Sequence, residues 1–379
     1  MLDVTELNFD DAVQYHYGEF PPKSLNYEKL MLPLGRAVDA IARFDQMLTT
    51  LKNSDILLAP LRNQEAVISS RMEGTISTMD EILRYEADHS EGDEQDKKAA
   101  NIRSEVIETI LYQRALRNAE RAMADGTPLT EHMIRSLHQV LLSWGRGAQK
   151  SPGQYKNEQN YIVDNRRNVR FIPISPTNLS AGMQLLLSYM HDEQSQILIR
   201  TALSHLEFEA LHPFKDGNGR VGRMLITLML WNSKVISAPH FYISGYLEEQ
   251  KEEYTSLMRE VSKSGVWTDW CAFFLRAVEA QAERNLKIAN SISKLYEEMK
   301  PIFGDVLSSR YSIHALDFVF ENPVFRNTQF LSKSDIPRPT ARRFGPLLVD
   351  AGLLETIEHG AGRRAALYRF EPMMELVRV

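Results

Sequence analysis

Twelve consecutive residues, His212-Pro213-Phe214-Lys215-Asp216-Gly217-Asn218-Gly219-Arg220-Val221-Gly222-Arg223, gather the groups of this chain best suited to chemistry. An imidazole that titrates near neutrality can take a proton from a hydroxyl. Asp216 is a hard oxygen ligand, of the kind that holds Mg²⁺ against phosphates. Gly217 and Gly219 allow left-handed backbone and close approach of a ligand, and Asn218 between them adds an amide donor. An apolar helical pattern restarts near Arg220, and the N–H groups and dipole of its first turn favour an anion. Arg220 and Arg223, three apart on that helix, can face the same phosphates, and guanidinium suits two-point phosphate contact. Taken singly, each of these residues reads as ordinary structure: a loop histidine, a glycine turn, a phenylalanine anchoring the loop in the core. Together, at this spacing, they describe a site for a polyphosphate, its metal ion and a nucleophile.

The elements around the run must hold it in place. A helix over 195–209, apolar at Leu198, Ala202, Leu203 and Leu206, is expected before it. Pro213 disfavours helical geometry at His212, and a second helix is expected over 220–233. Upstream, helices are predicted over 28–52 (Leu30, Leu34, Val38, Ile41, Phe44) and 62–86 (Met72, Ile76, Met79, Leu83). An acidic solvated loop follows over 86–98, then helices over 98–124 and from Thr130, as N-cap, to Trp144. Residues 151–176 differ. Tyr161-Ile162-Val163 and Val169-Arg170-Phe171-Ile172 flank the polar stretch 164–168 and predict a β-hairpin, ended by Pro173 and Pro176. Helices are again expected over 178–191, 247–263 and 267–300. The tail, 310–379, reads as helical pieces at 312–320 and 340–351. A strand, a glycine turn and a strand follow over 353–370, a winged-helix pattern. Residues 322–379 hold nine Lys/Arg against six Asp/Glu.

Bulk properties bound the function classes. A chain of 379 residues is long enough for two or three domains. With 43% hydrophobic and 25% charged residues it has the composition of a soluble protein. Its net charge of −6 argues against coating nucleic acid or an anionic membrane with the whole surface. No apolar run approaches the roughly 18 residues that span a bilayer, and Met1–Glu6 is acidic without an apolar leader, so the cytoplasm is the expected compartment. The single cysteine, Cys271, excludes an internal disulfide and lies in an apolar stretch as a buried thiol.

The run His-Pro-Phe-x-Asp-Gly-Asn-Gly-Arg-x-x-Arg resembles the complete Fic signature, every position of which is filled here. The resemblance implies a mainly α fold: a compact helical core with a β-hairpin flap beside the active site. It also implies transfer of AMP from ATP to a Ser, Thr or Tyr hydroxyl, with release of pyrophosphate. His212 would be the general base and Asp216 the Mg²⁺ ligand. Gly217, Asn218 and Gly219 would form the anion hole, and Arg220 and Arg223 would take the β- and γ-phosphates. Pro213, Phe214 and Lys215 fall within the same nucleotide-binding run. Tyr254, in Glu253-Tyr254-Thr255-Ser256-Leu257, falls where the family often has an aromatic residue near adenine; a second tyrosine is common there, and this chain has Glu253 instead.

Ser69-Ser70-Arg71-Met72-Glu73-Gly74 is similar to the Fic inhibitory motif, Ser/Thr-x-x-x-Glu-Gly/Asn. Ser69 and Glu73 would share one helix face, and Glu73 would pair with Arg223, at the expense of the γ-phosphate. The resemblance divides the chain into an N-terminal helical extension (1–100), a Fic core (101–300, flap 160–172) and a winged-helix domain (310–379). A target protein would pair along the flap, or the chain would modify itself. A homodimer and no membrane partner are expected. Two other readings stay open: transfer of a different phosphate-linked group, and a nucleotide-sensing DNA-binding regulator whose Arg338, Arg342 and Arg343 contact phosphate.

Overall fold

Prolines, glycines and capping residues cut this helix-rich sequence into its elements. The computed structural model describes residues 4–50, 54–89, 103–362 and 364–379. The described residues are mainly α-helical with two small three-stranded sheets. In chain order the elements run β1 (Val13–Gln14), α1 (Tyr27–Thr50), α2 (Ser54–Met72), α3 (Met79–Asp88), α4 (Ser104–Ala124), α5 (Glu131–Leu141), β2 (Ile162–Val163), β3 (Val169–Ile172), α6 (Pro176–Met190), α7 (Ile197–Leu211) and α8 (Asn218–Asn232). Then come α9 (Ser244–Glu249), α10 (Lys251–Ser264), α11 (Trp267–Leu307), α12 (Ser312–Glu321), β4 (Val324–Arg326), α13 (Asn327–Lys333), α14 (Arg338–Asp350), β5 (Glu355–Glu358), β6 (Leu367–Arg369) and α15 (Glu371–Val377). The chain forms two units: Met1–Asp45 with Leu111–Glu283, and Gln46–Ile110 with Arg284–Val379.

The first unit is built round α7 and α8. Both are buried on nearly every side, as central helices are, with a few polar residues such as His205 and Arg223 enclosed among the apolar ones. They cross closely at Gly222, where a Cβ would lie 3.2 Å from Phe208 Cδ1 and 3.3 Å from His205 Cε1. The hairpin of β2 and β3 is antiparallel, pairing Ile162 with Phe171 and Val163 with Val169. Its tip closes on Asp164, whose carboxylate accepts from the backbone N–H of Arg166 and Asn168. The sequence reading missed β1, which pairs in parallel with β3, Val13 beside Phe171. Two residues carry too little periodicity to announce a strand. The sheet order β1-β3-β2 puts β3 inside, so the hairpin offers only β2 as an open edge.

In the second unit the helix expected over 62–86 is two helices. Gly74, at φ 84°, ends α2. Thr78 then starts α3 with a capping box, its hydroxyl accepting from Glu81 N–H at 3.2 Å and its own N–H donating to the Glu81 carboxylate at 2.9 Å. Ile76, placed on the apolar stripe by the sequence, sits in the break and is exposed. The acidic loop expected over 86–98 falls for the most part outside the described residues; within it, α3 runs on to Asp88. The helix expected over 247–263 is likewise two, α9 and α10, parted at Gln250. Further on, α12, β4, α13, α14, β5 and β6 follow in turn, and β4-β6-β5 is wholly antiparallel. Phe318, Phe325, Phe330, Phe344 and Leu348 fill the core between these helices and strands.

Candidate active site

The run 212–223 is the loop between α7 and α8 and the first turns of α8. Pro213 forces α7 to stop, and His212 takes left-handed backbone, φ 45° and ψ 61°. Its Nδ1 lies 3.3 Å from the Glu209 carbonyl. A proton on Nδ1 leaves the basic lone pair on Nε2. Gly217, at φ 75°, caps α8. The first bond of that helix is Val221 N–H to Gly217 C=O at 3.1 Å, so the N–H groups of Gly219 and Arg220 precede its ladder.

A short segment ahead of the hairpin holds this loop from below. Four successive carbonyls accept from two residues. Lys156 donates its Nζ to Leu211 at 3.0 Å and its backbone N–H to Pro213 at 2.8 Å. Asn160 Nδ2 reaches His212 and Phe214, both at 3.1 Å. Lys156 Nζ also donates to Asn160 Oδ1 at 2.7 Å. Burial lowers the Lys156 pKa to about 7. His138, on α5, stacks on Phe214 with 3.7 Å between ring centroids. Its Nδ1 accepts from Gly153 N–H at 2.8 Å and its Nε2 donates to the Asp216 carbonyl at 3.0 Å. Burial pushes His138 down to about 4, so it is neutral in this role. The sequence reading missed all three residues. His138 left one trace, a polar residue in the apolar stripe Met133, Ile134, Leu137, Leu141.

Three residues expected at the nucleotide have protein partners of their own. Phe214 is fully buried, and its N–H and C=O both bond the Asn218 side chain at 2.8 Å. It anchors the loop. Asn218 is committed to the same loop, which leaves anion binding to the backbone there. Tyr254 is 3% exposed and its hydroxyl lies 2.7 Å from His205 Nε2, inside a cluster with Trp270 and Phe273. It lies in the core rather than at an open face. His205 is held down to about 3 by burial, with the nearby Arg223 charge adding to the shift. Lys215 is exposed and pairs with Glu158 at 3.2 Å. Cys271 is buried, and burial pushes its thiol up to about 12.

Arg220 and Arg223 are both 3% exposed. The nearest acid to Arg220 is Asp216, with Nη2 to Oδ1 at 3.5 Å, a long contact. Arg220 Nε and Nη1 are buried with no hydrogen-bond partner. Buried donors left unmet cost free energy, so this guanidinium is set for an anion. Asp216 Oδ1 accepts Gly217 N–H at 2.6 Å, and the side chain is 46% exposed, which leaves Oδ2 for a cation. Among the described residues no group of three His, Cys, Asp or Glu forms a metal cage. A Mg²⁺ shared between one carboxylate and phosphates needs none, and the residues here fit it.

The second motif ends α2. Ser69 is fully buried. Glu73 falls one residue past the last helical residue, in an exposed turn with Gly74. Thr75, just beyond, donates to Glu108 at 3.0 Å.

Residues 31–121 match the family model for the Fic/DOC N-terminal region and residues 128–230 that for Fic/DOC itself, together more than half of the chain. A protein adenylyltransferase, fic-1, of Caenorhabditis elegans is 28% identical over 103 residues, covering 26% of this chain and 19% of that protein. A probable protein adenylyltransferase of Aquifex aeolicus is 26% identical over 98 residues, covering 26% of this chain and 28% of that protein. The chain thus matches under a third of the length of either. A solved Fic family protein from Desulfovibrio desulfuricans shares the fold, with a TM-score of 0.58 at 17% identity over 92% of this chain and 98% of that one. Signature, fold and family models agree, and the chain belongs to the Fic/DOC family.

Proposed function

We propose that this chain is a self-restrained protein adenylyltransferase. It moves AMP from ATP to a Ser, Thr or Tyr hydroxyl of a target protein, or of its own chain, and releases pyrophosphate. The observation that carries the reading is Arg220: a buried guanidinium with two unmet donors at the open first turn of α8. Phosphate oxygens satisfy such donors, and the helix end favours their charge. The similarity to protein adenylyltransferases supports AMP as the group moved.

In this reading Arg220, Arg223 and the first-turn N–H groups hold the phosphates. The target segment lies along β2, the open strand of the hairpin. His212 Nε2 takes the proton of the target hydroxyl as its oxygen attacks the α-phosphorus. The bond from that phosphorus to the bridging oxygen breaks, and pyrophosphate leaves in line. Asp216 Oδ2 would hold Mg²⁺, which supplies neutralisation of phosphate charge. The restraint rests on the motif Ser69–Gly74, whose Glu73 carboxylate would compete with phosphate for arginine.

Incubating the protein with ATP labelled at the α- or the γ-phosphate tests the reaction. Protein should retain α-label and no γ-label; retention of γ-label alone sinks the AMP assignment. Glu73→Gly should raise the rate of labelling by tenfold or more. An unchanged rate would remove the restraint while leaving the transfer reading in place.

A further inference from the structure

The last domain of the second unit treats its arginines in two ways. Arg326 pairs with Asp88 and Glu358, both at 2.7 Å, and Arg364 with the same two carboxylates. Arg369 pairs with Asp80, Glu355 and Glu371, and Arg378 with Asp80 and Glu371. These four arginines tie the sheet and α15 to nearby acids. Arg338, Arg342 and Arg343 of α14, with Lys333 ahead of them, enter no ion pair among the described residues, and all four are exposed. In a chain of net charge −6, three unneutralised guanidiniums on one short helix are a local exception.

Their placement is ordered. Ala341, Phe344, Gly345 and Leu348 turn one side of α14 into the core, which leaves the arginines on the other. They occupy the first two turns, Arg338 and Arg342 one turn apart and Arg343 adjacent. The row spans about 7 Å, or about two base-pair steps of a duplex. The positive end of the helix dipole adds to their charge. The acids that flank them are Asp335, before the helix, and Asp350, at its far end. Behind α14 stands the order helix, strand, two helices, strand, strand, with α13 leading into α14.

We propose that α14 is the recognition helix of a double-stranded DNA-binding surface, with Arg338, Arg342 and Arg343 entering the major groove. In helix-turn-helix docking the N-terminal part of the second helix meets base edges and the first helix crosses the backbone; the arginines lie in that N-terminal part. Arginine is the usual partner of guanine edges there. An RNA duplex fits poorly, because its major groove is too narrow for side chains to read. A membrane fits poorly too, because the exposed neighbours of the arginines on this helix are Pro339, Pro346 and Asp350, with no large apolar anchor. The proposal uses none of the residues of the nucleotide site and does not depend on the transfer reading.

The test uses the full chain and fluorescence anisotropy with a mixed-sequence duplex of about 30 base pairs. Three arginine charges brought against the duplex and displacing its counterions predict binding that weakens about 40-fold between 50 and 200 mM salt. The variant Arg338→Ala/Arg342→Ala/Arg343→Ala should lose at least tenfold in affinity and most of that salt dependence, with AMP transfer unchanged. Lys287→Ala/Lys294→Ala/Lys300→Ala removes equal charge from α11 and should bind as the parent does. The single change Arg342→Glu gives the same readout should the triple variant fail to fold. No duplex binding at 50 mM salt overturns the proposal. So does equal loss in the α11 control, or arginine-dependent binding confined to anionic lipid vesicles or to a protein.

Discussion

At the residue scale, His212 and Arg220 divide the chemistry of the proposed reaction. There His212→Ala would remove the general base, a contribution of about 10²–10⁴ in rate. Transfer should fall by at least that lower bound, while ATP affinity by calorimetry stays within a few-fold. Arg220 makes a less obvious prediction. Its guanidinium is buried with one long contact to Asp216 and two unmet donors. Replacing an under-satisfied buried charge by an apolar group of similar volume is often neutral or stabilising. Arg220→Met should therefore leave the melting temperature of the ligand-free protein unchanged or higher. It should abolish the stabilisation that ATP confers, about 2.7 kcal/mol at a hundredfold excess over Kd. A large drop in stability without ligand would make Arg220 a structural residue and remove the main support for the phosphate site. Tyr254 shows the limit of reading residues one at a time: its type suits adenine, yet its hydroxyl is committed to the buried His205.

At the element scale, the α7–α8 loop is shaped by what lies beneath it. Left-handed backbone at a non-glycine residue costs about 1–2 kcal/mol and needs support from its surroundings. Lys156 and Asn160 supply it by donating to four consecutive carbonyls, 211 to 214. In the proposed reaction neither residue would touch the reacting atoms; both would act as positioning residues. Asn160→Ala should lower kcat by tenfold or more with little change in KM for ATP. Asn160→Asp keeps the size but replaces a donor by an acceptor, so it should not rescue. A parallel change in KM, or rescue by Asp, would place Asn160 outside this role. The same scale explains the missed break in the helix expected over 62–86. The apolar spacing continues through it, but Gly74 in left-handed backbone and the Thr78 cap outweigh the pattern.

At the scale of the whole molecule, several buried titratable groups link stability to pH. His138 and His205 are lowered to about 4 and about 3 by burial. The unfolded chain protonates its histidines first, so stability falls as pH drops below about 6.5 and keeps falling to about 4. Lys156 acts on the alkaline side with the same sign. Unfolded, it holds its proton up to its ordinary 10.5; folded, only to about 7. Stability should therefore rise with pH between about 7 and 10. Melting temperatures from pH 4 to 10 check both arms: His138→Gln should flatten the acid side relative to the parent, and Lys156→Met the alkaline side. An alkaline arm untouched by Lys156→Met would mean that this amine stays charged in the fold. Among the described residues no helix is long and apolar enough to cross a membrane, although α11 runs for 41 residues.

The active run was legible because its parts are contiguous. The helix stop at Pro213, the glycine turn, the restart at Arg220 and the acid between them act within twelve residues, and local backbone preference is enough to read them. The hairpin was legible for the same reason, from two β-prone runs about a polar tip. Other features exist only through distance in the chain. β1 has a partner about 158 residues away, and a pair so remote leaves no local pattern. His138 meets Asp216 across 78 positions and Asn160 meets His212 across 52. Which side chains became anchors, such as Phe214 and Asn218, and which stayed under-satisfied, such as Arg220, depended on what packed against them. By itself the sequence determined the inventory of the site and the backbone that presents it. The tertiary structure decided which of those groups remain for a ligand, because burial and hydrogen bonding are settled by neighbours that spacing alone does not name.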